Sequence, residues 1–400
     1  MQNIILHDSA HTQDLWPLTA TRPVGELRIG ILTIREKWEK RWNAKVSYKT
    51  ADYLQKKFPL TIEEDNFLID ASILPNEELN YLLTCLNTNQ FISHESRFVA
   101  ARLNRRQVES FFQVGGTITD NALELINCKR IQHLWEIFGF NDLELKNDYE
   151  ILTKDKNSIA LHASNQHFGT QLFIEDGAKI KASILNSETG PIYISKNAEI
   201  MEGAMIRGPF YLGENAQVKM GAKIYGATTI GPGCRVGGEI NNSVFYANSN
   251  KAHDGFIGNA VIGEWCNIGA DSNNSNLKNN YDIVKIWNYP TQRFIPTGSI
   301  FCGLMMGDHA KCGINTMFNT GTVVGVGANV FGDGFPRQFI PDFAWGGNSG
   351  FTTFKLDKFY ETTKTVMLRR NQELNEFDRD ILKHIYDTSA VNRSWEKSMN

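Results

Sequence analysis

The sequence predicts an α/β domain over about residues 1–150 and a triangular parallel β-solenoid over about residues 170–335, followed by a loop and a helical extension over residues 336–400. Three observations support this fold class. Apolar strand-like segments alternate with amphipathic ones in the first part of the chain, which is typical of α/β domains. An aliphatic residue returns every six positions in the middle part. Apolar and charged residues recur with helical spacing near the end.

The first domain is predicted from strands that alternate with helices. Residues 3–6 are expected to form a first buried strand, and residues 66–75 contain a second strand that ends at Asp70. Amphipathic helices are predicted over residues 31–42, 76–86 and 105–112. A helix that begins near residue 131 is expected to start the connection to the second domain.

The middle of the chain carries a six-residue repeat, with small residues two positions before most of the aliphatic ones. A period of six fits neither a helix nor a flat strand, but it fits a coil of three short strands that turns at each aliphatic corner. The sequence therefore predicts a triangular solenoid. The longest uninterrupted aliphatic series is Ile194, Ile200, Ile206, Leu212, Val218, Ile224, Ile230 and Val236.

The repeat is interrupted twice. It stops after Val236 and resumes at Phe256, and it stops again after Ile268 and resumes at Met306. We expect a loop to leave the solenoid at each interruption, and binding and catalytic residues concentrate on such loops.

The end of the chain is predicted as a loop followed by helices. The segment after Gly332 is rich in glycine, proline and aromatic residues, which indicates a loop that packs over the solenoid end. One or two helices are expected from Leu356 to Ile385. They would cap the last coil, because an open solenoid end exposes unpaired strand edges.

Composition excludes several classes of partner. The net charge is −3, and lysine and arginine are scattered without a basic stripe, so nucleic-acid binding is not expected. No apolar run approaches about 18 residues and the first residues lack the pattern of a signal peptide, so we expect a cytoplasmic protein that does not enter a membrane. The six cysteines include no CxxC pair, which favours reduced packing thiols.

One stretch carries a specific resemblance. KAHDGFIGNAVIGEWCNIGADSNNSNLKNN, residues 251–280, resembles the acetyltransferase motif of the bifunctional enzymes that make UDP-N-acetylglucosamine and of their archaeal relatives. The six-residue repeat around it resembles the left-handed parallel β-helix of hexapeptide-repeat acyltransferases. The resemblance implies that fold and acetyl transfer from acetyl-CoA, with His253 as the catalytic base and Asn276 as the amide that helps to hold the acyl acceptor or the thioester. GDHAKCGIN, residues 307–315, is similar to a stretch near the coenzyme A site of that family, so Lys311 and also Lys278 are candidates for binding the cofactor.

The chemistry of these residue types agrees with that resemblance. Acetyl transfer requires a base that removes a proton as an amine or hydroxyl attacks the thioester, and imidazole titrates near the working pH. His253 lies in the first interruption of the repeat. An amide donor at Asn276 or a backbone N–H group is suited to a developing oxyanion.

The first domain resembles the compact sugar nucleotidyltransferase domains that are fused to β-helices. The resemblance rests on WPLTATRPVGELRIG, residues 16–30, and it implies binding of a nucleoside triphosphate and a sugar 1-phosphate with Mg²⁺. No glycine precedes Gly25, so arginine side chains, chiefly Arg22 and Arg28, are predicted to contact the phosphates. Asp70 is the candidate magnesium ligand.

Together these observations predict a sugar-nucleotide enzyme that performs nucleotidyl transfer, acetyl transfer or both, and that assembles as a homotrimer. Two alternatives stay open. The chain could be a regulatory protein that binds a nucleotide sugar without turnover, or a nucleotidyltransferase whose β-helix is purely structural.

Overall fold

The computed structural model describes residues 2–9, 11–114 and 122–399. These residues divide into two compact units. The first unit contains Met1–Leu15, Arg22–Leu27 and Leu32–His133, and the second contains Trp16–Thr21, Arg28–Ile31 and Leu134–Asn400.

The first unit is built on a six-stranded mixed sheet in the order β2-β1-β3-β5-β4-β6. Strand β1 lies parallel to β2 and β3, and β5 lies antiparallel to β3 and β4. The α/β prediction is thus confirmed. The strands are β1 Asn3–His7, β2 Lys45–Lys49, β3 Asn66–Asp70, β4 Gln90–His94, β5 Arg97–Leu103 and β6 Leu123–Glu124.

Among the described residues, four helices accompany this sheet; three lie close to the predicted positions, and α2 was not predicted. The first of them begins at a capping box, in which the side chains of Thr33 and Glu36 each accept a hydrogen bond from the other residue's backbone N–H. The helices are α1 Ile34–Trp42, α2 Asp52–Gln55, α3 Glu77–Cys85 and α4 Arg105–Val114, with short 3₁₀ segments at Thr12–Leu15 and Val24–Glu26.

The second unit is a parallel β-solenoid, as the six-residue repeat predicts. Its coils stack into three parallel sheets, which we call A, B and C, and the strands of each coil appear in that order. Sheet A contains β7 Gln166–Phe168, β10 Ile184–Asn186, β13 Met205–Arg207, β16 Lys223–Tyr225, β19 Glu239–Asn241 and β22 Phe256–Gly258. Sheet B contains β8 Leu172–Ile174, β11 Ile192–Ile194, β14 Phe210–Leu212, β17 Thr228–Ile230, β20 Val244–Phe245, β23 Val261–Ile262, β28 Met305–Met306, β31 Val323–Val324 and β33 Phe339–Ile340.

Sheet C completes the triangle, and its last strand, β35, is antiparallel to β34. The remaining solenoid strands are a pair beside sheet A, β25 Asn273–Asn274 and β30 Met317–Phe318, and an antiparallel hairpin, β26 Lys285–Asn288 and β27 Arg293–Pro296. Sheet C contains β9 Lys179–Ile180, β12 Glu199–Ile200, β15 Gln217–Val218, β18 Arg235–Val236, β21 Asn250–Lys251, β24 Asn267–Ile268, β29 Lys311–Cys312, β32 Asn329–Val330, β34 Ala344–Gly347 and β35 Gly350–Thr353.

The aliphatic residues of the repeat fill the interior of the solenoid. All eight members of the series from Ile194 to Val236 are buried in one apolar cluster, together with the small residues that precede them. Each coil alone would expose this surface, so stacking of successive coils supplies the burial that stabilises the fold.

The predicted loop between Val236 and Phe256 is wrong. The chain completes another coil there through β19, β20 and β21, and each of these strands pairs with the coils on either side. This coil is shorter than its neighbours, so counting in steps of six residues no longer finds the repeat. Ile257 is buried at the interior position where that count expects Phe256. The inward residues of this coil and the start of the next are Ile240, Phe245, Lys251 and Ile257.

The second interruption is a true insertion. Between β25 and β28 the chain leaves the solenoid and forms the hairpin of β26 and β27. The segment after Gly332, predicted as a loop, instead contributes β33 to sheet B and β34 to sheet C.

Helices complete the second unit. The carbonyl oxygen of Gly30 accepts a hydrogen bond from Thr229 (2.8 Å), and the N–H of Gly30 donates to Asn141 of α5 (2.7 Å), so α5 packs beside sheet B. Among the described residues, none of the helices has the length and apolar character needed to cross a membrane. The helices are α5 Leu134–Thr153, α6 Leu356–Leu368 and α7 Glu376–Thr388, followed by 3₁₀ segments Ser389–Asn392 and Ser394–Met399.

Candidate functional site

His253 lies on a tight corner of the solenoid. The corner joins β21 in sheet C to β22 in sheet A, and the imidazole is exposed to solvent. The candidate base thus belongs to the rigid coil and not to an expelled loop. An exposed side chain on a fixed backbone can meet a substrate with little reorganisation.

The coils on both sides hold this corner closely. A Cβ atom on Gly238, in the preceding coil, would lie 2.9 Å from the carbonyl oxygen of His253. A Cβ atom on Gly255 would lie 2.2 Å from the carbonyl oxygen of Ser272 in the following coil, and Gly255 has a positive φ of 110°. Glycine is required at both positions because any side chain there would push the corner away from its neighbours.

Asn276 lies at the opposite end of β22 from His253. Its Nδ2 donates a hydrogen bond to Oδ1 of Asn259, the residue that follows β22 (2.7 Å). A strand advances about 3.3 Å per residue, so the six residues from His253 to Asn259 span up to about 20 Å. One chain therefore places the two candidate catalytic residues at the ends of one strand without bringing them together.

Asn274 closes the solenoid where the insertion leaves it. Its buried side chain accepts a hydrogen bond from the N–H of Gly258 (2.9 Å) and donates one to the carbonyl oxygen of Gly258 (2.9 Å). The carboxamide thus satisfies both backbone groups of Gly258, as a neighbouring strand would. The sequence analysis did not identify this role, although an asparagine at an inward position of the repeat is a detectable signal.

The two lysines proposed for the cofactor have different environments. Nζ of Lys278, in the insertion, donates a hydrogen bond to the carbonyl oxygen of Ile283 (3.1 Å). Lys311 lies on β29, where its Nζ donates to the carbonyl oxygen of His309 (2.9 Å) and burial lowers the pKa of the ammonium group. The structure places the two lysines on different parts of the solenoid.

In the first unit, three polar residues meet at the carboxyl ends of the parallel strands. His7, Lys49 and Asp70 end β1, β2 and β3, and backbone register places His7 between the other two. Ligands of α/β proteins bind at this edge of a sheet. The ring of His7 packs against Phe112 (5.5 Å between ring centres), and burial lowers the pKa of the imidazole.

Asp70 is buried, and its carboxylate is fully engaged. One oxygen accepts hydrogen bonds from the backbone N–H (2.9 Å) and the hydroxyl (2.6 Å) of Ser72, and the other pairs with the guanidinium of Arg130. Across the described residues, no three His, Cys, Asp or Glu side chains form a group that could hold a metal ion. A carboxylate already paired with a cation does not fit a magnesium ion in this arrangement.

Asp8 is a further, half-buried carboxyl group at this edge, and the sequence analysis missed it. Its oxygens accept hydrogen bonds from the hydroxyl of Thr50 (2.5 Å) and the N–H of Val24 (3.0 Å). Burial raises the pKa of this carboxyl group to about 7. Its place directly after a buried strand was the available signal.

The two arginines predicted to bind phosphates belong to different units. Arg22, in the first unit, is buried, whereas Arg28, in the second, is half-buried and its guanidinium donates to the carbonyl oxygen of Ile31. Their proposed contacts with a nucleotide remain predictions.

Comparisons with known proteins address the two parts of the chain separately. Residues 4–157 match a family model described as sugar nucleotidyl transferase. The match shows that this part of the chain is similar to that family, in agreement with the resemblance found in the sequence, and it does not extend into the solenoid. No curated protein sequence matches the chain at a significant level.

The solved structures that resemble the chain include acyltransferases. The polysialic-acid-specific acetyltransferase NeuO is 14% identical, with 48% of this chain and 87% of NeuO covered and a TM-score of 0.27. The UDP-N-acetylglucosamine acyltransferase of Arabidopsis is 13% identical over 58% of this chain and 94% of its own, with a TM-score of 0.24. AntD of Bacillus cereus, an N-acyltransferase solved in complex with dTDP and 3-hydroxybutyryl-CoA, is 16% identical over 52% of this chain and 93% of its own, with a TM-score of 0.22. The solenoid itself is established by its own strand pairing, independently of these low scores.

Proposed function

We propose that the chain is a bifunctional sugar-nucleotide transferase. The solenoid transfers an acetyl group from acetyl-CoA to the amine of an amino sugar phosphate, and the first domain binds a nucleoside triphosphate and transfers its nucleotidyl group to a sugar 1-phosphate. The observation that carries the solenoid activity is the exposed imidazole of His253 on a corner fixed by two glycine contacts. The family match of residues 4–157 supports the activity of the first domain.

In the proposed acetyl transfer, the amine nitrogen of the sugar attacks the carbonyl carbon of the thioester. A C–N bond forms, the C–S bond breaks, and His253 accepts the proton that the nitrogen loses. The imidazolium then returns this proton to the departing thiolate, which gives free coenzyme A. A donor such as the amide of Asn276 stabilises the negative charge on the carbonyl oxygen during attack.

The separation of His253 and Asn276 favours a site shared between chains. A single chain holds them at the two ends of β22. Residues on the outside of sheet A offer a surface for assembly, because four apolar side chains there are exposed and border a groove of about 570 Å³. These side chains, the sheet A patch, are Phe168, Ile184, Met205 and Tyr225. We propose a homotrimer in which neighbouring solenoids complete each acyl site.

In the proposed nucleotidyl transfer, a phosphate oxygen of the sugar 1-phosphate attacks the α-phosphorus of the nucleotide, and pyrophosphate leaves. Arg22 is proposed to neutralise phosphate charge, since no glycine precedes Gly25 in this domain.

The test of acetyl transfer is a coenzyme A release assay with acetyl-CoA and a panel of amino sugar phosphates. His253→Ala is expected to lower turnover by about 100-fold or more, because it removes the proton acceptor. His162→Ala is the matched control, since His162 is also exposed but lies before the first strand of the solenoid. Equal thiol release by wild-type protein and His253→Ala would remove His253 from the mechanism.

One observation favours a second candidate for the first domain, namely nucleotide-sugar binding without turnover. The pairing of Asp70 with Arg130 leaves this carboxylate engaged. An assay of pyrophosphate release with several nucleotides and sugar 1-phosphates distinguishes the two, because a purely binding domain retains nucleotide in calorimetry and releases no pyrophosphate.

A further inference from the structure

A lysine occupies an interior position of the solenoid that aliphatic residues fill in neighbouring coils. Backbone register aligns Lys251 with Val236 of the preceding coil, and the pairing of Asn250 with Asn267 aligns it with Ile268 of the following one. Lys251 is 1% exposed. A buried ammonium group is costly unless protein groups replace its hydration, so its partners indicate why it is there.

Those partners are the backbone carbonyls of the corner that carries His253. Nζ of Lys251 donates a hydrogen bond to the carbonyl oxygen of His253 (2.7 Å) and another to that of Asp254 (3.1 Å). The side chain therefore reaches from the core to the underside of the corner. Hydrogen bonds from a charged donor are about twice as strong as those between neutral groups.

The two carbonyls differ in their dependence on this lysine. The carbonyl of Asp254 also accepts the N–H of Asp271 in the next coil (3.0 Å), which is part of the regular stacking between coils. Among the described residues, Lys251 supplies the one hydrogen bond to the carbonyl oxygen of His253. Lys251 thus orients the peptide group of His253, which coil stacking does not hold by a backbone bond.

We propose that Lys251 is a positioning residue for His253, holding the corner so that the imidazole is presented in one orientation to the acyl acceptor. The proposal deepens the acetyltransferase function and rests on it. Burial lowers the pKa of this ammonium group to about 8, while the carboxylates of Asp254 and Asp271 oppose the shift, so the cation predominates at neutral pH. Holding a catalytic group within a fraction of an ångström of its productive position can change a rate by up to about 100-fold.

The test compares Lys251→Met with Ile268→Met. Both variants place an unbranched apolar side chain in the same interior stack, and only the first removes the bonds to the corner. We expect amide hydrogen exchange at residues 253–255 to increase at least about 10-fold in Lys251→Met and to stay unchanged in Ile268→Met. In the coenzyme A release assay, kcat is expected to fall about 10-fold or more with KM for acetyl-CoA unchanged, because positioning and not cofactor binding is lost.

The exchange measurement separates this proposal from the proposed function. Unchanged exchange at the corner in Lys251→Met overturns the positioning role whatever the activity, and so does an unchanged kcat when His253→Ala is impaired. If His253→Ala retains full thiol release, the acetyltransferase mechanism fails even where exchange increases. Should Lys251→Met not fold, Lys251→Gln retains an N–H donor on a shorter side chain. It is expected to show faster corner exchange than wild type, and wild-type exchange in a folded Lys251→Gln protein would equally overturn the proposal.

Discussion

Arg130 links Asp70 at the end of β3 to the backbone of β5. One guanidinium nitrogen pairs with the carboxylate of Asp70, and the other donates a hydrogen bond to the carbonyl oxygen of Phe98 (2.8 Å). Both partners of the ion pair are largely buried. The carboxyl-terminal edge of this sheet is thus organised around a buried charge pair.

Removal of Arg130 is expected to destabilise the protein strongly. Arg130→Met leaves the carboxylate of Asp70 buried and unpaired, which costs about 3–5 kcal/mol in comparable pairs. The free energy of unfolding in urea measures this loss. Arg105→Met is the control, because Arg105 pairs with Glu64 on the surface (3.0 Å) and such pairs contribute about 1 kcal/mol or less. A similar loss in both variants would contradict the structural importance of the Asp70 pair.

Asp8 is expected to make stability depend on pH between about 4 and about 7. Its folded pKa of about 7 exceeds the unfolded value of 3.8, so the folded state binds more protons in this range and the charged form is penalised above it. Asp8→Asn removes this penalty. The stability of Asp8→Asn relative to wild type should therefore rise between pH 5 and pH 8 in urea unfolding, and a difference that does not change with pH would show that Asp8 titrates normally.

Lys251 is expected to have the opposite dependence. Its pKa is lowered from 10.5 to about 8, so the unfolded state binds more protons between these values and stability rises with pH across them. Relative to that of Lys251→Met, the free energy of unfolding of the wild-type protein should rise by up to about 3 kcal/mol between pH 8 and pH 10.5. Cys312, which also interacts with this ammonium group, is present in both proteins and largely cancels in the difference. A flat difference would mean that the ammonium group is solvated.

Arg22 is expected to separate the two activities. Arg22→Ala should abolish nucleotidyl transfer and weaken nucleotide binding in calorimetry, but spare thiol release, because the solenoid site does not use this residue. Binding to the wild-type protein should weaken steeply with salt, since charge carries the contact. The exposed Arg106→Ala is the control. If the wild-type protein binds no nucleotide, across several bases and with Mg²⁺ present, the first domain has a purely structural role.

If the sheet A patch forms the interface of the proposed trimer, a charged side chain introduced there should disrupt the trimer. Met205→Asp, at a position 47% exposed in the patch, should shift sedimentation equilibrium at micromolar concentration from trimer to monomer. Met220→Asp, at a position 71% exposed outside the patch, should leave the assembly unchanged. A wild-type monomer under these conditions would refute the trimer.

The sequence predicts the solenoid well where the coils have equal length. From Ile194 to Val236 every aliphatic corner is buried as expected, because a fixed spacing and a fixed coil coincide. The coil that contains Lys251 is shorter. Counting in steps of six residues therefore wrongly predicts a loop outside the solenoid there. A lysine is also not expected at an interior position of the repeat, because its ammonium group needs hydrogen-bond partners there. In the folded protein, carbonyl oxygens of the corner are those partners.

The sequence pointed to some of the candidate residues and not to others. His253 was proposed from its motif and stays a prediction, whereas Asp8 was not singled out because its hydrogen-bond donors, Val24 and Thr50, are distant in sequence. Asp70 was correctly placed at a strand end, but its pairing with Arg130 depends on a contact across 60 positions of the chain. Spacing alone does not reveal which carboxylate is already neutralised.

The side chain of Asn274 has an implication for how this solenoid can change. Because one carboxamide satisfies Gly258 where the chain departs, the ladder of coils is closed before the insertion begins. The segment between Asn274 and Gly303 is therefore not needed to close the ladder, but it packs on the later coils, because Trp287 stacks on Phe339 (4.3 Å between ring centres) and the hydroxyl of Tyr289 donates to Asp342 (3.3 Å). Change at the exposed positions of this segment, with these two contacts and Asn276 retained, offers a route to new acceptor specificity on an unchanged scaffold.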